Sequence, residues 1–291
     1  MRPDNERRMA CKEDLDIRPG LERSARNTWA ESIEEVVRDM CPYPTSYDVT
    51  CTQPARFSEY TYTELCGGLY TKTQSVEINT RIIREAAKIP ATTDRVGELL
   101  GLLQDKYELD SIGDSPKKVV FVPGHNMYHL LSKEIMSRLA HEQDDVFVKL
   151  HPITDTNMGI PFKSAFGAHR LIGRDFSGTA LLKNCTDVYT TSTSELCLYA
   201  VALGKKLHNV GDFFQEWVGC YYAITSVLFT AENPREALNN ILDCEFSGIL
   251  LPSMVDYETR LQRFYDVSLQ MKEVFGEVTS KNLQPCGKKD R

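Results

Sequence analysis

Three short segments of this chain place a glycine, a histidine or clustered hydroxyls directly after an apolar run. The first is Pro123-Gly124-His125-Asn126, which follows Val119-Val120-Phe121-Val122. A glycine lets backbone approach a ligand closely, and the unpaired N–H groups of a helix that follows favour an anion or a sugar hydroxyl. The second is Lys149-Leu150-His151-Pro152, where the proline restricts the backbone of the residue before it. An imidazole held in this way can donate a hydrogen bond to phosphate. In the third, Asp187-Val188-Tyr189-Thr190 runs into Thr191-Ser192-Thr193-Ser194-Glu195 and then into an apolar helical stretch from Leu196. Those hydroxyls can cap the helix, and the same groups make a phosphate cradle at the positive end of its dipole. Glu195, in the first turn, can accept hydrogen bonds from ribose hydroxyls. Each segment also has a plainer use, as a strand-to-helix turn, a packed histidine or a helix N-cap. Their shared position after apolar runs favours a ligand.

For these segments to meet, the apolar runs must lie side by side. Runs at 119–122, 146–150, 170–172, 188–190 and 206–210 alternate with helical patterns at 127–141, 177–184 and 194–203. Such alternation predicts an α/β fold on a parallel, doubly wound sheet, whose ligands bind beyond the carboxyl ends of the strands. Gly204 falls where the third of those helices should end. The first sixty residues are polar, carry Pro42, Pro44 and Pro54, and show one helical stretch, at 27–40. Amphipathic patterns at 75–87 and 94–107 follow, then a charged segment with Gly113 and Pro116. This predicts a helix-rich N-terminal lobe over 1–116 and a sheet-bearing lobe over 117–291, extended by helices at 234–242 and 257–275.

With 42% hydrophobic and 26% charged residues, the chain has the composition of a folded globular protein rather than a disordered or fibrous one. No stretch approaches the roughly 18 to 20 apolar residues that span a bilayer, and residues 1–16 show no apolar signal core, so the expected location is the cytoplasm. The nine cysteines are scattered and never form a CxxC pair, which predicts free thiols rather than a zinc site. A net charge of −7 gives no global attraction to nucleic acid, though it leaves room for a local basic groove.

The ordered set VPGH, VKLHP, DVYTTSTSELCLYAVALGKKLHNVG and DFFQEW resembles the bacterial capsule-polysaccharide synthesis family, especially its Kdo-transferase members. There a VPGQ turn, an HP dipeptide, a TS segment ending in GK and a PFYAGWG segment follow one another. The match covers roughly 119–219, and its force lies in order and spacing. The resemblance implies a GT-B-like fold and a metal-independent glycosyltransferase. In such an enzyme the HP histidine and the TS hydroxyls hold the donor phosphate, a role that carries onto His151, Thr191, Ser192 and Ser194. Gly124, Asn126, Lys149 and Glu195 complete the expected donor site. This chain departs from the family at His125-Asn126-Met127, where the family has carboxylates, and at Asp212-Phe213-Phe214-Gln215-Glu216-Trp217.

In GT-B enzymes the N-terminal lobe supplies acceptor contacts and often the catalytic base. Glu64, at the start of an expected glycine turn over 64–68, is the first candidate base and His125 the second. The expected co-substrate is a CMP- or UDP-linked sugar, with no other cofactor and no metal. The expected acceptor is a glycan or lipid-linked saccharide, with a hydroxymethylated DNA base second. A sugar-nucleotide epimerase and a catalytically degenerate nucleotide-sugar-binding protein are the competing readings.

Overall fold

Val, Ile, Leu and Phe in short runs favour strands that are buried on both faces, and the chain uses them so. The computed structural model describes residues 49–51, 61–65, 72–106, 116–124, 130–151, 156–173, 176, 178–194, 196–211 and 220–282. They fall into two compact units, one within Leu100–Phe214 and the other within Thr28–Leu99 together with Gln215–Arg291.

The first unit holds a five-stranded sheet of β3 (Lys118–Phe121), β4 (Val146–Lys149), β5 (Leu171–Ile172), β6 (Asp187–Thr190) and β7 (Lys206–Asn209). Every pairing is parallel and the strand order is β5-β4-β3-β6-β7. The order reverses direction between β3 and β6, which makes this a Rossmann-like α/β sheet with its switch point there. Helices α3 (Lys133–Glu142), α4 (Ile160–Phe166), α5 (Gly178–Asn184) and α6 (Leu196–Ala202) make the connections. Ser132 caps α3 by accepting from the Ile135 N–H at 3.4 Å, and Met136, Leu139 and Ala140 are its buried face. That face joins Val120, Val146, Val148 and Phe166 in one core cluster. Gly204, at φ 67°, ends α6 where its position predicts, because only glycine adopts that backbone without strain.

Arg170 fixes the far ends of two of these helices. It is 6% exposed, and its guanidinium donates to the carbonyls of Phe166, Gln143 and Ala140. A planar fork of donors meets the last carbonyls of α3 and α4, where the helix dipoles favour a cation.

The second unit combines an antiparallel sheet, β1 (Val49–Cys51), β2 (Thr61–Leu65) and β8 (Ile249–Leu250) in order β1-β2-β8, with α1 (Lys72–Ala86) and the first turn of α2 (Arg95–Lys106), as far as Leu99. Helices α7 (Cys220–Thr230), α8 (Pro234–Asp243) and α9 (Tyr257–Asn282) complete it. Ile78, Ile82 and Ile83 of α1 are fully buried with Ile224, Leu238, Ile241 and Phe264 of the later helices. The sequence reading joins 117–291 into one lobe, whereas residues 215–291 group with 28–99. Apolar faces of α7 to α9 are matched by α1, an association that local periodicity does not encode. Glu64 lies within β2, paired with Thr50, so the expected turn at 64–68 is corrected at its first two residues to strand. Among the described residues no helix is long and apolar enough to cross a membrane.

Candidate functional site

The strand register brings the three chemistry-bearing segments to one edge. Phe121 lies level with Lys149, and Lys149 with Ile172, while Val120 lies level with Tyr189 and Thr190 with Asn209. One further rung follows: Val122 N–H donates to Lys149 O at 3.0 Å, Leu150 N–H to Ile172 O at 3.3 Å, and Val210 N–H to Thr190 O at 3.0 Å. Pro123, His151, Ser192 and Gly211 are therefore the first residues wholly off the sheet, level with one another at the carboxyl edge. Strands lie about 4.8 Å apart, so His151 and Ser192 stand two spacings apart with Pro123 between them. This is the crevice at the switch point, where open α/β sheets bind ligands.

The hydroxyl turn is shaped by a strap that crosses it. Leu131 forms an antiparallel bridge with Gly211, and Ser132 N–H donates to Val210 O at 2.9 Å. A Cβ on Gly211 would stand 2.7 Å from Leu130 O and 2.8 Å from Thr191 Cγ2, so only glycine permits this approach. Thr191 lies under the strap with no exposure, and Ser192 is 2% exposed. The Thr191 hydroxyl bonds to that of Thr193 at 2.7 Å. Ser194 N–H donates to Thr191 O at 3.1 Å and Cys197 N–H to Ser194 O at 3.0 Å, which winds the turn into α6. Thr193 and Ser194, both half-buried, form the surface of the turn.

Gly124 and His151 are half-buried on the neighbouring strand ends. Lys149 is 2% exposed and donates to the carbonyl of Leu150. Alternation along β4 puts it on the sheet face opposite Val148. His125, Asn126 and Glu195 lie outside the described residues. Glu64 belongs to the other unit. The structure thus brings together Gly124, Lys149, His151 and the 191–194 turn. Thr193 and Gly211 enter the site beside them; Thr193 was legible as one more hydroxyl of the cap, Gly211 only as a glycine after a strand.

A second polar cluster lies on β6 and β7, away from this edge. His208 Nε2 and Asp187 Oδ1 are 2.8 Å apart, and the His208 ring stacks on Tyr189 at 4.4 Å. Burial works against the Asp187 charge, but the bonds from His208 and Thr186 outweigh it and hold the carboxyl below its usual range. Burial also pushes the Cys185 thiol up to about 12 and raises those of Cys197 and Cys244. These three free, buried thiols are inert rather than nucleophilic.

No protein-family model matches the chain, and no curated protein is significantly similar to it. The likeness to capsule-polysaccharide enzymes rests on the motifs alone.

Proposed function

We propose that the Leu100–Phe214 unit binds the donor of a GT-B-type glycosyltransferase, which moves a sugar from a CMP- or UDP-linked donor to a saccharide hydroxyl. One observation carries this reading: the order β5-β4-β3-β6-β7 sets Gly124, His151 and the 191–194 turn around a single crevice at the switch point. A glycine edge, an imidazole and surface hydroxyls are the donor groups that a phosphate needs. When the sugar leaves, charge grows on that phosphate, and donors already in place stabilise it without reorganising.

A thermal-shift screen of the full chain against CMP, UDP, GDP and their sugars tests the proposal. A ligand that binds the native state stabilises it by about 2.7 kcal/mol at roughly a hundredfold excess over its Kd. CMP or UDP is expected to raise the melting temperature, and a flat response to every nucleotide at millimolar concentration would overturn the reading. Incubation of the winning donor with and without saccharide acceptors then separates transfer from epimerisation, because an epimerase converts the donor alone.

A further inference from the structure

The unit that carries the parallel sheet exposes two large apolar side chains among its described residues, Ile160 at 61% and Phe176 at 51%. Both belong to carboxyl-edge segments: Ile160 opens α4 on the return from β4, and Phe176 sits between β5 and α5. Apolar area gathered beside a few polar groups at a ligand edge marks a binding surface. Phe176 is also anchored, because its N–H donates to Gly173 O at 3.3 Å.

The chain enters α5 at the same edge, beside the end of β3 and the start of α6. Two residues after Phe176, a Cβ built on Gly178 would meet Leu196 Cδ1 at 3.8 Å and the Phe121 ring at 3.9 Å. Leu196 is the first residue of α6, just past the hydroxyl turn, and Phe121 is the last of β3, just before the Gly124 edge. A phosphate held at His151 and Ser194 leaves the rest of a nucleotide to run along the carboxyl edge. On the side of β5 that edge carries the exposed Phe176.

Resting on the nucleotide reading above, we infer that Phe176 is the platform on which the base of the bound nucleotide stacks. A phenyl ring offers a π-face and no hydrogen bond, so it contributes affinity for a base without choosing which base. Truncation of such a platform lowers affinity about tenfold or more per base.

Calorimetric titration of the full chain with CMP, UDP and pyrophosphate, in the native protein, Phe176→Ala and Phe176→Trp, tests this. The alanine variant is expected to bind both nucleotides about tenfold more weakly and pyrophosphate as before, while the tryptophan variant keeps nucleotide affinity. Unchanged nucleotide affinity in Phe176→Ala, or an equal loss for pyrophosphate, would overturn the stacking role and leave the nucleotide reading standing. A native protein that binds no nucleotide overturns both.

Discussion

Thr191 and Ser194 come from the same run of hydroxyls but have different surroundings. The Thr191 hydroxyl is spent inside the turn on Thr193, whereas Ser194 stands at the surface of the turn. Thr191→Val is therefore expected to lower stability by about 1 kcal/mol, the usual net worth of a hydrogen bond, and to leave nucleotide affinity per folded molecule unaltered. His151→Ala is expected to do the reverse, weakening CMP or UDP binding by about 1 to 3 kcal/mol with little effect on melting. Melting curves and titrations on both variants check this, and an affinity loss confined to Thr191→Val would invert the assignment. The position of each segment was legible in the sequence because apolar runs fix where strands end. Which hydroxyls face inward was not, because the strap at Leu131 and Gly211 that buries Thr191 is a contact between distant segments.

The last turn of α8 shows the same limit at the level of elements. Asn239, Asn240 and Asp243 satisfy the connection between α1 and α2: Ala91 N–H donates to Asn240 Oδ1 at 2.9 Å, Val96 N–H to Asn239 Oδ1 at 3.0 Å, and Thr92 N–H to Asp243 Oδ2 at 2.8 Å. Arg95 adds an ion pair to Asp243 at 3.0 Å, with both side chains mostly buried. Burial opposes the Asp243 charge, but the Thr92 N–H, the Arg95 guanidinium, the Thr92 hydroxyl and the Thr93 N–H outweigh it, so its carboxyl lies below the usual range. A carboxyl depressed in the folded state contributes stability that is present above its unfolded pKa of about 3.9 and lost as pH falls through its folded value. Asp243→Ala is expected to cost about 2 to 4 kcal/mol near neutral pH, between one charge-assisted hydrogen bond and a broken buried pair. In urea unfolding that difference should shrink as pH drops below about 3.9, and a difference independent of pH would show that Asp243 acts by packing alone. The helices at 72–86, 95–106 and 234–243 were readable from their periodicity within a few residues. The strands β1, β2 and β8 were not, since each is short and the pairing of β2 with β8 joins segments far apart along the chain. Thr61-Tyr62-Thr63 carried the one usable signal, a run of strand-favouring residues.

At the scale of the whole chain, the unit that combines Thr28–Leu99 with Gln215–Arg291 is assembled from both sides of the sheet-bearing segment. Its core joins Ile78, Ile82 and Ile83 of α1 to Ile224, Leu228, Leu238 and Phe264, all essentially inaccessible to solvent. Each such side chain contributes about 1.5 to 3 kcal/mol by leaving water, so this core alone outweighs the loss of one covalent link. The Asp243 clamp adds polar bonds between the same two stretches. A specific protease site inserted within residues 107–115 therefore cuts the chain without releasing its halves. Under native gel filtration the fragment that carries α1 is expected to elute with the fragment that carries α7 to α9, and to separate only in denaturant. Elution of two separate species in native buffer would show instead that the C-terminal helices form a lobe with the parallel sheet, as the sequence read from its local patterns predicts. Asp243→Ala, which breaks the polar clamp but spares the apolar faces, should weaken the association of the cut halves without abolishing it.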